Sequence, residues 1–517
     1  MFEIIGPIMV GPSSSHTAGM ARIGMMANRI MGGTVPKNIE ITLHPAIRYT
    51  YKGHRTDVAL VGGILGLDEK SERLADALTL ATRNGLDTRV GFFQDEKLNP
   101  NTVLLEMEMT DGNFHTVLGI SVGGGNIEII EVDGVKLHLS SRKWNLFIWS
   151  NDDISQMISG HFQREVESGY CKGRFLSVMS FEKEPESGIQ SKIMAILSAA
   201  ECSLTTPITP FGELSSESPT ITSFKELLDL SVLTGKSTAE LALEYERKRS
   251  EKSAKQIEDY MYTMLHAMKK AVDKGLNQEN KLIYGLTSGK DAKKLLQAAD
   301  ECRTISRGIV PRAVAFALGV MEVNASAGEI VAAPTAGSAG IVPGCLLAMQ
   351  KEYALTDHEL VRALFVCALT GVIMSEKGVS FSGAVGGCQG EVGVSSAIAA
   401  AGMTAAFGGS TRQSVNAAAM AIKNILGLIC DPIGGPVEVP CIKRNSIGVA
   451  NAFVAADMAL AGIESYIPPD EVLDALINVQ KLLPPELRGR AIGGLACTRT
   501  AKAFRDSMTG ISRSDYQ

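Results

Sequence analysis

The chain has 517 residues, a length typical of about three domains. Hydrophobic residues make up 45% of the chain and charged residues 21%, which is the ordinary composition of a globular protein. Its 50 basic residues are outnumbered by 56 acidic ones, and no basic stripe occurs, which argues against nucleic acid as a partner.

Three features predict the cellular location. The first eleven residues, MFEIIGPIMVG, contain Glu3 and no basic residue, so we expect no secretory signal. The most apolar stretch, ALFVCALTGVIM (363–374), is too short to span a bilayer and predicts a buried helix rather than a membrane segment. The nine cysteines are odd in number and lie in a long chain, which argues against a disulfide framework. We therefore expect a cytoplasmic protein.

The N-terminal region, predicted to cover residues 1–140, mixes helix and strand signals and indicates an α+β domain. Ile23, Met26, Ala27 and Ile30 have the spacing of one helix face, and two glycines at 32–33 end that helix. Further predicted elements of this region are strands at 38–47 and 102–109 and a helix at 71–85.

Residues 141–203 are predicted to form a small α+β module of a size common for regulatory domains. Its predicted elements are a strand at 143–150, a helix at 153–166, a strand at 174–182 and a helix at 188–199. A stretch rich in Pro, Ser and Thr at 204–223 predicts a linker. Residues 224–517 are predicted to be all-α, with helices at 256–275 and 413–427 among others.

A run of small polar residues stands at the start of the first predicted helix, in GPSSSHTAG (11–19). It contains Ser13, Ser14, Ser15 and Thr17 around His16. The first N–H groups of a helix lack partners and its dipole favours an anion. One N-cap needs only one such residue. Two interpretations stay open: a cradle for a small carboxylate, and a polar loop with a single cap.

Two histidines fall in predicted polar turns of one region, His16 and His54, the latter in YKGHRTD. A lone loop histidine is more often structural than catalytic, but this pair makes a role in proton transfer plausible. Five other histidines lie in predicted helices or strands without a polar cluster and are interpreted as structural or exposed: His115, His138, His161, His266 and His358.

Three cysteines, Cys388, Cys430 and Cys441, lie on turns rich in glycine and proline, where backbone can approach a bulky ligand. The close pair of a structural zinc site and the four-cysteine run of a ferredoxin are both missing. Three thiolates would suit a cluster with one iron left open as a Lewis acid. By spacing alone, three unrelated loop cysteines are the favoured interpretation.

Longer motifs resemble a known family. IGPIMVGPSSSHTAG, YKGHRTD and ISVGGG resemble the β part of the iron–sulfur-dependent L-serine dehydratases (L-serine ammonia-lyases). EVNASAGEIVAAPTAGSAGIVPG, GAVGGCQGEVG and GLICDPIGGPVEVPCIKRNSIG resemble the α part. The resemblance covers nearly the whole chain and implies that both parts are fused. It implies a multidomain fold with an α+β N-terminal domain, an ACT-like regulatory module and a large all-α catalytic domain.

The resemblance also implies the chemistry. A 4Fe–4S cluster would be held by Cys388, Cys430 and Cys441, with its open iron acting on the β-hydroxyl of L-serine and with no pyridoxal phosphate. The products would be pyruvate and ammonia. The resemblance implies L-serine as a small-molecule partner. From charge and hydropathy we expect no nucleic acid and no membrane partner, and we expect a homodimer.

The resemblance implies a role for each candidate residue. His54 would be the base for the Cα proton, and His16 would share proton transfer and substrate orientation. The residues expected to bind substrate are Ser13, Ser14, Ser15, Thr17, Asn324, Thr335, Gly337 and Ser338. Lys443, Arg444 and Asn445 could orient substrate or be solvated, and both interpretations stay open.

The chain departs from the family near the predicted site. Where the family pattern is G-H-G-T-D, this chain has Arg55 in place of the second glycine. LHPAIRYT and GLTSGKDA (285–292) also differ. A lyase of the same machinery acting on another β-hydroxy or β-thiol acid, with Arg55 binding an extra anionic group, is therefore an alternative. A second alternative is a non-catalytic, amino-acid-binding regulatory protein. Aconitase-like isomerisation is less favoured.

Overall fold

The computed structural model describes residues 1–95, 97–140, 142–196, 201–208 and 221–509. The chain forms two compact units, and each is assembled from separate stretches of sequence. The helical unit comprises Met1–Ser14, Tyr49–His54 and Ser215–Gln517. The sheet unit comprises Ser15–Arg48 and Arg55–Leu214.

The strands are numbered in chain order. They are β1 (Ile8–Val10), β2 (Asn38–Leu43), β3 (Asp87–Phe92), β4 (Thr102–Glu108), β5 (Phe114–Gly123), β6 (Asn126–Val132), β7 (Val135–Ser140), β8 (Trp144–Ser150), β9 (Glu167–Cys171), β10 (Arg174–Phe181), β11 (Glu201–Thr205) and β12 (Glu329–Val331).

The helices are numbered in the same way. They are α1 (Gly19–Ile30), α2 (Thr56–Ile64), α3 (Ala77–Arg83), α4 (Ser155–Phe162), α5 (Ile189–Ile196), α6 (Phe224–Thr234), α7 (Thr238–Ser250), α8 (Ala254–Asn277), α9 (Asp291–Asp300), α10 (Ile309–Ala325), α11 (Ile341–Tyr353), α12 (Asp357–Glu376), α13 (Gly383–Gly386), α14 (Val394–Ala406), α15 (Thr411–Lys423), α16 (Cys441–Leu460), α17 (Pro469–Leu482) and α18 (Arg499–Thr509).

The larger sheet of the sheet unit has six strands in the order β3-β2-β4-β5-β6-β7. β2 and β3 are parallel, and the other neighbours are antiparallel. Val103, Leu105 and Met107 of β4 are buried in strict alternation, which is the pattern that predicted this strand. Only the first part of the predicted strand 38–47 is extended, because Pro45 begins a 3₁₀ turn.

Helices α1 and α2 pack together at two glycines. A Cβ on Gly24 would lie 2.2 Å from the Leu60 carbonyl oxygen, and one on Gly63 would lie 2.1 Å from that of Ala21. The two helices therefore approach more closely than side chains at these positions would allow. The predicted first helix is confirmed. The helix predicted over 71–85 divides into a 3₁₀ turn, Glu72–Asp76, followed by α3.

The second sheet of this unit has four antiparallel strands in the order β11-β8-β10-β9. With α4 after β8 and α5 after β10, the chain follows a β-α-β-β-α-β path, the split β-α-β arrangement. The predicted strands β8 and β10 and the helix α4 are confirmed. α5 confirms the helix predicted at 188–199 as far as Ile196, and residues 197–199 lie outside the described residues. β9 and β11 were not predicted, because they are five residues long and only partly buried.

A buried polar cluster joins this four-stranded module to the six-stranded sheet. The Asp133 carboxylate lies 2.8 Å from His115 Nδ1 and accepts from Trp149 Nε1 at 2.9 Å. It also accepts from the Thr116 amide at 2.8 Å. Asp133 lies in the β6–β7 turn, His115 on β5 and Trp149 on β8. The prediction that His115 is structural fits this arrangement.

The helical unit contains one short sheet in which β1 pairs antiparallel with β12. The C-terminal region is therefore helical but not strictly all-α as predicted, because β12 pairs with a strand from the N-terminal stretch. The predicted linker 204–223 starts inside β11, and its residues 209–220 lie outside the described residues. The predicted domain boundaries at 140, 203 and 223 stay predictions.

Close helix packing dominates the helical unit. A Cβ on Gly402 of α14 would lie 2.4 Å from Cys367 Sγ of α12, and one on Gly275 of α8 would meet the Gly319 backbone of α10 at 2.4 Å. α12 is long and apolar enough to cross a membrane by composition, but 78% of its most apolar window is buried by the rest of the protein. This fits the prediction of a buried helix at 363–374.

Candidate functional site

The serine run lies where the sequence predicted, at the start of a helix. A π-helical turn, Ser14–Ala18, continues into α1. Ser14, Ser15 and Thr17 are buried, and Ser13 is half-buried. Ala18, which directly precedes α1, has helical dihedral angles, so the helical path begins within the serine run. Ser13 and Ser14 belong to the helical unit, whereas Ser15 to Thr17 belong to the sheet unit.

His16 is enclosed in the sheet unit. Burial lowers the pKa of its imidazole to about 4. A hydrogen bond with the Asn101 side chain raises the pKa, but burial has the larger effect. The imidazole is therefore neutral at pH 7, with one nitrogen able to donate and the other able to accept.

His54 belongs to the helical unit and is buried. Its amide donates to the Thr50 carbonyl at 2.8 Å. A Cβ on the preceding Gly53 would lie 2.5 Å from the carbonyl carbon of Gly435 and the nitrogen of Pro436. Gly53 is thus required for the approach to 435–436, a segment that leads into Cys441.

Arg55 takes a backbone conformation that favours glycine, with φ of +55°. This gives a physical reason for the glycine in the family pattern. The Arg55 guanidinium donates to the Ala75 carbonyl within the sheet unit. One of its nitrogens is therefore already engaged by the protein, which does not favour the alternative in which Arg55 binds a second anionic group of the substrate.

The three predicted cysteines start from different elements of the helical unit. Cys388 precedes a π-helical turn, Gln389–Gly393, and Cys441 is the first residue of α16. Cys430 lies in an extended segment: its amide donates to the Leu487 carbonyl at 2.8 Å, and its carbonyl accepts from the Gly489 amide at 2.7 Å. Cys388 and Cys430 are buried, and Cys441 is half-buried.

These thiols act on one another electrostatically. The pKa of Cys430 is raised well above its usual range by a hydrogen bond with Cys388, then by burial and by nearby charge. The pKa of Cys441 is raised first by burial and then by Cys388 and Glu391. The Cys388 and Cys430 thiols are therefore neighbours, and Cys441 lies near enough to Cys388 to interact with it electrostatically.

Glu391 belongs to the same group and was missed by the sequence analysis. One ligand atom each from Cys388, Cys430 and Glu391 lies within 4.8 Å of the others. The residue as a whole is partly exposed, but its carboxyl group is buried. Burial raises the pKa of this carboxyl to about 7, although a hydrogen bond with Thr335 and the positive charge of Arg444 both lower it. Its position three residues after Cys388 in GGCQGE was the available signal.

Glycines leave the space for this group. A Cβ on Gly383 would lie 2.7 Å from the Glu391 Oε2 and 3.1 Å from the Cys430 Sγ. A Cβ on Gly337 would lie 3.2 Å from Glu391 Oε1, and one on Gly489 would lie 3.3 Å from Cys430 Sγ. As the glycine-rich turns predicted, glycine backbone lies directly beside the side chains of Cys430 and Glu391.

The predicted trio 443–445 divides into three different roles. Arg444 lies with Nη1 3.6 Å from Cys388 Sγ and with Nη2 2.7 Å from the Asp431 carboxylate. Lys443 is exposed and lies 3.8 Å from Asp291. Asn445 donates to the Gly337 and Cys441 carbonyls at 2.9 and 3.0 Å and accepts from the Gly340 amide. Arg444 therefore lies beside Cys388, and Asn445 connects the Cys441 backbone to the loop 337–340.

Of the remaining predicted residues, Thr335, Gly337 and Ser338 lie on the loop next to Glu391, and Asn324 lies in α10. Thr335 and Ser338 hydrogen-bond through their hydroxyls at 3.1 Å. Asn324, at the end of α10, donates to the Pro12 carbonyl at 3.4 Å and to the Ala336 carbonyl at 3.3 Å. The structure thus joins the start of the serine run to the loop 335–338 through one amide side chain.

A cavity of about 480 Å³ opens elsewhere in the helical unit, near the ends of α6, α7, α14 and α15. Its polar lining includes Lys236, Arg362 and Thr411. None of the predicted site residues is among those that line it. The candidate site is therefore defined by the chemistry of its side chains rather than by this cavity.

Two thiols and a carboxylate on a helical scaffold form the kind of group that can hold a metal ion. Comparison with known proteins supplies the family. The family model for the serine dehydratase alpha chain matches residues 233–496, and the model for the serine dehydratase beta chain matches residues 1–99. The chain belongs to the serine dehydratase family, with alpha and beta regions fused in one polypeptide. The family is enzymatic, and dehydratases are lyases.

Individual relatives agree. The chain is 42% identical over 286 residues to a probable L-serine dehydratase, alpha chain, of Bacillus subtilis, which covers 55% of this chain and 94% of that one. It is 38% identical over 281 residues to the L-serine dehydratase alpha chain of Peptoniphilus asaccharolyticus, covering 54% and 96%. L-serine dehydratase 1 of Escherichia coli is 28% identical over 495 residues, covering 94% and 96%.

Proposed function

We propose that this protein is an L-serine ammonia-lyase, which converts L-serine to pyruvate and ammonia with a 4Fe–4S cluster held by Cys388, Cys430 and Cys441. The observation that carries the proposal is that ligand atoms of Cys388, Cys430 and Glu391, from separate segments, lie within 4.8 Å of one another. Cys441 lies near enough to Cys388 and Glu391 for their charges to raise its pKa. The names of the relatives supply the substrate.

The residues present fit such a cluster. Thiolates are the ligands that iron–sulfur clusters use. Glycine backbone at 383 and 489 borders Cys430 Sγ where any Cβ would intrude, which leaves room for a bulky group. The Arg444 guanidinium lies beside Cys388 Sγ and offers a positive charge to an anionic assembly. When bound, such a cluster supplies an open iron that acts as a Lewis acid toward the β-hydroxyl.

The side chains of this protein would bind and orient the substrate. The hydroxyls of Ser13, Ser14, Ser15 and Thr17, at the start of α1, would hold the carboxylate. His54 would accept the Cα proton. His16 is neutral at pH 7, and a pKa of about 4 makes it a weak base, so it would orient the substrate by hydrogen bonding. Thr335, Gly337 and Ser338 would line the pocket.

Loss of the Cα proton and of the β-hydroxyl removes one water in total. The product, 2-aminoacrylate, tautomerises to the imine, which hydrolyses to pyruvate and ammonia. These last steps need no Schiff-base lysine, and the proposal includes no pyridoxal phosphate.

Cysteine substitution tests the cluster. Anaerobically prepared Cys388→Ser should retain little iron and make pyruvate on the order of 10³-fold more slowly, because one ligand and the Lewis acid are lost. Cys302→Ser is the matched control, since Cys302 is exposed and lies outside the group. Equal iron content in both variants would refute the assignment of Cys388 as a ligand.

The choice of base has its own test. His54→Ala should lose deuterium exchange at Cα by about 10²- to 10⁴-fold, while the visible absorbance of the cluster is kept. Exchange at the wild-type rate would assign the base elsewhere.

We further propose that residues 141–203 form an ACT-like regulatory module. Support comes from the β-α-β-β-α-β path and the strand order β11-β8-β10-β9. A non-substrate amino acid that changes the rate without competing with L-serine would support regulation. Purely competitive behaviour of every such amino acid would oppose it.

We also propose that the protein is cytoplasmic and forms a homodimer. Its nine cysteines are all free thiols, as expected in a reducing compartment. Light scattering coupled to size-exclusion chromatography should give twice the mass of 55.0 kDa. A mass of one chain would overturn the homodimer.

A further inference from the structure

The side-chain amide of Asn324 makes hydrogen bonds through its nitrogen but makes none through its oxygen to the residues that the structure describes. The residue is fully buried at the end of α10. Its Nδ2 donates to the carbonyls of Pro12 and Ala336. Its Oδ1 has no hydrogen-bond partner among the residues that the structure describes. A buried acceptor without a donor is costly, so native proteins keep one mainly where a ligand or water supplies the donor.

The orientation of this amide is fixed by its surroundings. Both neighbours on the Nδ2 side are carbonyl oxygens, which only accept hydrogen bonds. Exchanging the amide oxygen and nitrogen would place an acceptor against two acceptors. Oδ1 must therefore face away from Pro12 and Ala336.

The position of Asn324 relates it to the proposed site. Pro12 directly precedes Ser13 and Ser14, which are proposed to hold the substrate carboxylate. Ala336 directly precedes Gly337, whose backbone approaches the Glu391 carboxylate. The Asn324 side chain therefore lies next to both segments that are proposed to bind the substrate.

Asn445 provides a contrast within the same unit. Both ends of its amide are used, because Nδ2 donates to two carbonyls and Oδ1 accepts from the Gly340 amide. Both polar atoms of the Asn445 side chain therefore make hydrogen bonds to the backbone. In Asn324 only Nδ2 does so, and Oδ1 remains available as an acceptor.

We propose that Asn324 Oδ1 accepts a hydrogen bond from the α-ammonium group of the substrate and so makes the site selective for amino acids. This inference rests on the proposed function. An ammonium group is a charged donor, and charge-assisted hydrogen bonds are about twice as strong as neutral ones. A carboxylate cannot pair with an amide oxygen, so the assignment also orients the substrate.

Binding of two unreactive ligands tests the proposal. L-Alanine and propionate share a carboxylate and a methyl group, differ in the ammonium group, and lack a leaving group at Cβ. Calorimetry on the anaerobically prepared wild-type holoenzyme should show L-alanine binding about 10- to 100-fold more tightly than propionate. A wild-type protein without this preference would overturn the proposal without any substitution.

Substitution then locates the preference. Asn324→Ala should reduce the ratio of the two affinities to below about threefold by weakening L-alanine binding alone. Asn445→Ala, which also removes two hydrogen bonds to backbone carbonyls, should keep the wild-type ratio. Parallel loss of both affinities in Asn324→Ala would assign a purely structural role and contradict the proposal.

The outcomes separate this inference from the function on which it rests. A wild-type protein that makes pyruvate from L-serine but keeps its affinity ratio in Asn324→Ala refutes the inference alone. A wild-type protein that makes no pyruvate refutes the proposed function, whatever the affinity ratio.

Discussion

Asp133 of the sheet unit and Glu391 of the helical unit are both carboxylates enclosed by protein, but their surroundings differ in kind. Asp133 accepts from the Thr116 amide and the Trp149 indole and pairs with His115. Burial raises its pKa, but His115 and the other donors outweigh this, and the pKa lies below the usual value of 3.8. For Glu391, burial prevails over the Thr335 hydrogen bond and the charge of Arg444, and the pKa rises to about 7.

The difference distinguishes a structural carboxylate from one in a functional site. The oxygens of Asp133 are occupied by partners on two strands, β5 and β8, which belong to different sheets, so the cluster joins the two sheets. Glu391 has thiols and glycine backbone around it, which an apolar or fully paired site would lack. A carboxylate whose pKa is raised by burial, and which lies beside potential metal ligands, is a candidate for function.

The largest expected change in the free energy of unfolding comes from substituting Asp133, the structural carboxylate. Asp133→Asn should lower the free energy of unfolding of the sheet unit by about 3–5 kcal/mol, because it removes one partner of a buried pair. Glu391→Gln should change the stability of the iron-free protein by less than about 1 kcal/mol, since the amide keeps the shape and accepts from Thr335. Urea unfolding followed by the fluorescence of the two tryptophans, Trp144 and Trp149, measures the first change, and urea unfolding followed by circular dichroism measures the second. Equal losses in the two variants would break the comparison.

A smaller effect should come from filling the space beside Glu391. Gly383→Ala should cost about 1–3 kcal/mol and reduce iron retention, because its Cβ would lie 2.7 Å from the carboxylate and 3.1 Å from Cys430 Sγ. Gly160→Ala in α4 is the control, since nothing lies within 4 Å of the added Cβ. It should leave stability unchanged or raise it by about 1 kcal/mol. Full iron content in Gly383→Ala would argue against a crowded site.

The smallest effect is the acid dependence. The folded-state pKa of Asp133 lies below its unfolded value of 3.8. Its contribution to stability is therefore fully present above pH 3.8 and is lost as the pH falls through the folded-state pKa. The loss amounts to about 1.4 kcal/mol for each pH unit that separates the folded from the unfolded pKa. Asp133→Asn should flatten this acid limb in unfolding measured from about pH 5 to about pH 2.5. An unchanged acid limb would mean that another group dominates it.

Much of this arrangement could be predicted from the sequence, where periodicity and glycine placement carry the information. Apolar spacing gave α1, α8, α12 and α15, and the Gly/Pro turns around the three cysteines indicated backbone close to a ligand. β9 and β11 were missed, because a strand of five partly buried residues has too short a pattern to recognise.

Other features depend on contacts between distant residues and could not be predicted. The pairing of β1 with β12 joins residues 8–10 to 329–331, and a local pattern has no access to such a pair. The same holds for the amide of Asn324 between Pro12 and Ala336. Glu391 was visible in GGCQGE, but its raised pKa follows from burial that only the folded chain supplies.

The most direct test is an anaerobic one. The protein should be purified without oxygen, its absorbance near 400 nm recorded, L-serine added and pyruvate followed over time. We predict a brown protein that makes pyruvate and loses activity in air. A brown protein inert toward L-serine, or a colourless one that makes pyruvate, would contradict the account.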